Sequence, residues 1–138
     1  MNPIFTADSR AIMRFGLRNN SLYVNRAAMN MIGNKPYVQF LWDEKTRTLL
    51  LAGIDHKVRD SFDTPRVSSR RRDGSGREYR FQRRAFADAI TLRMNWDRKV
   101  HYKVAGEYNP HIGMVSFHLD EAWVIGDEGG SECCPSRM

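Results

Sequence analysis

The chain has 138 residues, 41% of them apolar and 28% charged, and a formal net charge of +6. That length supports one compact domain with a real hydrophobic core and is short for two. The composition excludes a disordered chain, and no apolar run approaches the ~18 residues that would read as a membrane span.

Met1–Asp8 has neither the basic lead nor the apolar stretch of a signal peptide, so a cytoplasmic protein without membrane contact is expected. Ala11–Leu17 reads as a strand with Ala11, Met13 and Phe15 on one face. Arg18-Asn19-Asn20 is a turn, because Asn tolerates the left-handed backbone of tight hairpins. Ser21–Val24 runs back as a half-buried strand, with Leu22 and Val24 facing one way and Ser21, Tyr23 and Asn25 the other. Asn25 can cap a short helix that carries Ala28, Met29 and Ile32 on one face and stops at Gly33-Asn34. Tyr37–Trp42 and Thr48–Ala52 are strand-rich runs across a polar loop of hairpin length. This first unit is β-α-β-β.

From Asp55 to Gly76 the Ser, Pro, Asp and Gly residues break every period, and the segment reads as a long exposed basic linker. The same order of elements then returns. Glu78–Gln82 is a strand, Arg84–Met94 a helix with Phe86, Ala89, Ile90 and Met94 as its apolar stripe, and Trp96 an anchor on the core. Lys99–Ala105 and Met114–Leu119 are the closing strands, joined by a loop over Gly106–Gly113. Laid together, Leu22 meets Tyr79, Val24 meets Phe81 and Val38 meets Val100. The expected fold class is mainly β (α+β): two βαββ repeats, 11–54 and 77–119, form one small pseudo-twofold barrel, each with one short helix. Residues 1–125 are then a single domain with linker 55–76, and 126–138 a flexible tail.

The charge is localised. Arg66, Arg70, Arg71, Arg72, Arg77, Arg80, Arg83 and Arg84 face only Asp73 and Glu78 between them, so 66–84 holds the whole formal excess. Arg10, Arg14, Arg18 and Arg26 form a second stretch that contains no acid. The two cysteines, Cys133 and Cys134, are adjacent in the tail, where pairing would be strained and no His or Cys cluster completes a metal site.

Leu22–Gly33 followed by Tyr37–Trp42 and Thr48–Ala52 resembles the AbrB/SpoVT family of swapped-hairpin DNA-binding domains, which place a short strand, a small helix and a β-hairpin in this order. The chain has Val24-Asn25 where that family has Ile-Pro, and Lys35-Pro36 where it has Gly-Asp. The resemblance implies that the two halves build within one chain the barrel the family makes from two. It also implies that DNA contacts come from Arg10, Arg14 and Arg18 and the matching Arg77 and Arg80.

Charge leads to the same partner, since arginine forks bind phosphates and reach guanine edges, and Arg70, Arg71 and Arg72 sit in the linker as a groove-entering or backbone-tracking loop. The expected function is a DNA-binding transcriptional regulator or antitoxin-like protein of bacterial or mobile-element type, with a homodimer as an open assembly state. A second class is a small non-catalytic protein-binding module, or a phage-type inhibitor, anchored on a protein partner by Tyr23 or Tyr108. No nucleophile motif and no spaced carboxylate pair points to an enzyme, and no cofactor or metal is expected. His101 and His118 are placed to oppose each other across the second hairpin, but two ligands make no complete metal site.

Overall fold

Alternation along Ala11–Gly16 (β1) puts Ala11, Met13 and Phe15 at no more than 1% exposure. The computed structural model of the chain describes residues 10–65, 69–70 and 77–125. After β1, a single 3₁₀ turn over Leu17–Asn19 ends on Asn20 at φ 56°, the left-handed position that an asparagine fills at low cost. Ser21–Asn25 (β2) then returns antiparallel to β1, with Met13 opposite Val24 and Phe15 opposite Leu22.

Asn25 fixes the next step. Its Oδ1 accepts from the Ala28 amide at 3.1 Å, which caps Arg26–Met31 (α1), and from the Ile12 amide at 3.0 Å. Its Nδ2 donates to the Arg10 carbonyl at 2.9 Å. One side chain therefore satisfies an orphan helix donor and ties the entry of β1 to the end of β2. Asn25→Ala is expected to cost about 1–2 kcal/mol. Asn25→Asp, which keeps both acceptor roles and loses only the donation to Arg10, should cost less. Urea unfolding of the two variants checks this order.

Gly33 at φ 86° and Asn34 at φ 50° turn the chain out of α1, whose Ala28 and Met29 are fully buried. Tyr37–Asp43 (β3) and Thr48–Ile54 (β4) form a hairpin in continuous register from Tyr37 opposite Ile54 to Asp43 opposite Thr48. Short strands Phe62–Asp63 (β5) and Ser69–Arg70 (β6) follow, then Arg77–Gln82 (β7), Arg84–Met94 (α2), His101–Asn109 (β8), Met114–His118 (β9) and Trp123–Ile125 (β10).

Among the described residues, ten strands join into one antiparallel sheet in the order β5-β3-β4-β9-β8-β1-β2-β7-β6, with β10 added to β8. The two ends of this path, β5 and β6, both come from the stretch 62–70. The sheet accordingly curls into a nearly closed, mainly β barrel-like structure with few helices. Its interior is filled by Met13, Phe15, Leu17, Leu49, Leu51, Val104, Val115 and Phe117, each at most 1% exposed. Trp96 packs as anticipated, stacked on Tyr102 at 4.1 Å between centroids and edge-on to Phe15 at 5.0 Å.

Four expectations need correction. Linker 55–76 is not an unbroken exposed connection: Phe62 is 8% exposed and packs edge-on to Phe40 and Phe81, while β5 pairs with β3 and β6 with β7. Strands of two residues carry no period that a sequence can display. The second hairpin loop is shorter than Gly106–Gly113, because β8 continues to Asn109 and pairs Gly106 with Phe117. The sealed stripe of α2 is Ala87, Ile90 and Met94, and Ala89 is only half-buried. Finally, His101 and His118 do not face each other. His118 lies beside β4, its Nδ1 2.8 Å from Thr48 Oγ1, whereas His101 pairs with Ile125 in β10.

Candidate nucleic-acid interface

In β1, β2, β7 and β8 one set of side chains, including Met13, Leu22, Phe81 and Val104, fills the barrel, so the alternate set faces outward. The strand registers align part of that outer set into a single row. Trp123 of β10 pairs with Lys103 of β8, Lys103 with Arg14 of β1, Arg14 with Tyr23 of β2, and Tyr23 with Arg80 of β7. Direct antiparallel partners share a face, and four inter-strand steps of about 4.8 Å carry the row roughly 19 Å along the sheet. The row holds three cations and two aromatic rings, with Lys103 and Arg14 side by side between Trp123 and Tyr23.

Arg14 is the fixed centre of the row. Its Nε and Nη2 donate to the two Glu78 oxygens at 3.0 and 2.8 Å, a bidentate fork, and its Nη1 lies 3.4 Å from His101 Nδ1. The Tyr23 ring covers the guanidinium at 3.9 Å, a cation–π contact. Burial alone would lower the Arg14 pKa, but the hydrogen bond and charge of Glu78, aided by Tyr23, outweigh it and hold the pKa above the ordinary arginine value. Gly16 lies beneath the two rings. A Cβ there would lie 3.4 Å from the Tyr23 ring and 3.9 Å from His101, at ordinary van der Waals contact with both.

The ends of the row are open. Trp123 is 43% exposed, and Arg80 is exposed, with its Nε donating to Ser21 Oγ at 3.0 Å. Beyond them, exposed Arg18 at the β1–β2 turn donates to the Lys99 carbonyl at 3.4 Å, and exposed Gln82 donates to the Asn19 carbonyl at 2.9 Å. Arg18 and Lys99 therefore continue the basic character past the row.

Of the arginines singled out from the sequence, Arg10, Arg18 and Arg80 are exposed. Arg14 needs a correction as a direct phosphate ligand. At 9% exposure and with its fork spent on Glu78, it supports Tyr23 rather than reaching outward. Arg70 and Arg77 are backbone neighbours in the β6–β7 pair. Arg71 and Arg72 lie outside the described residues. Sequence reasoning missed Lys103 and Trp123. The parity of β8 contains the signal for Lys103, which alternates with core residues Tyr102 and Val104. A three-residue β10 contains none for Trp123.

Among the described residues, no three His, Cys, Asp or Glu side chains gather within reach of one metal ion, and no helix is long and apolar enough to cross a membrane. The fold and this face define a class: a mainly β, barrel-like sheet with an outer band of cations and aromatic rings. No family model, curated protein or solved structure matches the chain.

Proposed function

We propose that the chain is a nucleic-acid-binding protein, of the DNA-binding regulator or antitoxin type, that lays a strand or duplex edge across the outer face of β10, β8, β1, β2 and β7. The observation that carries this reading is the cross-strand row Trp123, Lys103, Arg14, Tyr23 and Arg80. Exposed Arg80 and Arg18 supply phosphate contacts, Arg14 holds Tyr23 in place, and ring faces accept bases or sugars. Among the described residues, Glu78 lies beside the row with both carboxylate oxygens on Arg14.

The reading includes a twofold duplication of the AbrB-like kind, with β2-α1-β3-β4 answering β7-α2-β8-β9. Two pairings support it. In β2–β7, Leu22 pairs with Phe81 and Val24 with Tyr79, so each residue faces the neighbour of its own counterpart, as an axis between the strands requires. Strands β4 and β9 also pair antiparallel. With β1 matched to the interrupted β5/β6 stretch, exchanging the halves leaves the strand order unchanged.

Binding to fluorescent random-sequence duplex and single-stranded 30-mers over a salt series tests the function. Tyr23→Ala, Arg80→Ala and Trp123→Ala are each expected to weaken binding several-fold, and Arg80→Ala should lower the salt slope by about 1. Lys45→Ala, in the exposed β3–β4 turn, should leave both unchanged. No binding to either probe at low salt, or an equal loss from Lys45→Ala, would remove this face as the interface. The protein-partner reading has its own observation, the exposed Tyr108 and Ile112 at the β8–β9 tip, 41% and 52% accessible. It takes precedence if nucleic acid fails.

A further inference from the structure

A groove of about 370 Å³ opens between α2 and β3, away from the basic row. Its depth has a local cause. Exposed Ala85 and half-buried Ala89, one helical turn apart on α2, line the groove with side chains too small to fill the gap to Phe40 and Trp42 of β3. Phe40, Trp42 and Phe86 are only partly buried although they pack on the core. Phe62 and Phe86 stand 5.3 and 5.4 Å from Phe40 between centroids, so the wall is a cluster of rings with a free side.

The mouth is polar on a few points. Arg83 lies flat on Phe62, its guanidinium carbon 3.8 Å from the ring centroid, and Nη2 donates to the Ser61 carbonyl at 3.1 Å. Those contacts hold the group in place and engage Nη2, while the Nε and Nη1 N–H groups make no hydrogen bond to a described residue. Arg93 stands at the other end, its Nε 3.5 Å from a Glu44 oxygen. Asp60 also lines the groove, as the single acid among its described lining residues. A volume of this size, aromatic walls and a few convergent polar groups are the ordinary make-up of a small-molecule site.

We propose that this groove binds a small organic anion: an aromatic or medium-chain aliphatic body against Phe40, Phe62 and Phe86, with its carboxylate or sulfonate on the Arg83 fork. Arg83 is the primary anchor, because its orientation is already fixed and Arg93 shares its charge with Glu44. A planar guanidinium held on a ring offers two N–H donors at low entropic cost, which suits a carboxylate. Asp60 opposes the anion and limits affinity. The site is independent of the nucleic-acid reading and shares no residue with the row.

The test is fluorescence titration of the full chain with 8-anilinonaphthalene-1-sulfonate, followed by competition with decanoate and with decanol. The expected result is saturable binding at one site, displaced at least about 10-fold more effectively by decanoate than by decanol, the difference of a charge-assisted fork. Arg83→Gln should weaken the probe about 5–10-fold, and Asp60→Asn should tighten it. Ala89→Trp fills the groove and should abolish the saturable phase. Ala85→Phe blocks it from the more exposed end and serves if the first variant does not fold. Saturable binding that survives both filling variants, or equal competition by decanol, overturns the site; so does the lack of a saturable phase in the wild type.

Discussion

Glu78→Ala is expected to destabilise the protein by about 3–5 kcal/mol, the cost of leaving a buried charge without its partner. Glu78 and Arg14 are 8% and 9% exposed, and their two hydrogen bonds form a fork that water cannot easily replace. A lysine in this place could shed its proton. Arg14 cannot, since its pKa is held above an already high ordinary value, so the unpaired cation must stay charged or break out of the face. Breaking out would also displace Tyr23, whose ring rests on the guanidinium. Removing both charges has a different outcome. Arg14→Met with Glu78→Leu should recover most of the loss, because apolar groups of similar volume often match a buried ion pair in stability. The same double variant removes the centre of the outer row and should bind nucleic acid more weakly while remaining folded. Urea unfolding of the two single variants and the double variant closes the cycle. A Glu78→Ala loss below about 0.5 kcal/mol would show that the pair is solvated and dispensable.

The long strands and both helices are legible in the sequence because each carries its own period. Met13, Phe15, Leu22 and Val24 alternate inward as read, and Asn25 caps α1 as its residue type dictates. Depth is less legible than direction. Parity puts Arg14 on the outer side of β1, which is correct, but it cannot show that Tyr23, His101 and Glu78 from three other strands close over it. The same limit applies to Phe62. Its surroundings of Ser, Asp, Thr and Pro read as linker, and only the pairing of Val38 with Phe62 explains why a ring there is sealed. The row itself depends on registers between strands remote in sequence, β1 with β8 and β2 with β7. No local pattern encodes those, so the candidate site was legible residue by residue on β1, β2 and β7 but not as an alignment.

Gly106 is expected to tolerate no side chain without loss of stability. It is paired on both sides, with Ala11 of β1 and with Phe117 of β9, at the point where β8 passes from one neighbour to the other. A Cβ at this position would stand 2.6 and 2.7 Å from two carbons of the Phe117 ring and 2.9 Å from Val115 Cγ1. Both neighbours are 0% exposed, so neither has a free direction in which to retreat. The requirement is steric: the ring occupies the space a side chain would take. Gly106→Ala should therefore cost about 1–3 kcal/mol through overpacking, and Gly106→Val more than about 3, because its branches add further contacts. The mechanism makes a sharper demand than the loss alone. If the ring is the obstacle, Phe117→Leu combined with Gly106→Ala should be more stable than the two single losses predict, with a coupling of about 1 kcal/mol or more. Additive losses would mean that the ring moves aside freely and that the glycine answers to the twist of β8 instead. In either case the effect should reach the outer face, since Lys103 is three residues along the same strand and keeps its register with Arg14 only while β8 stays paired to β1.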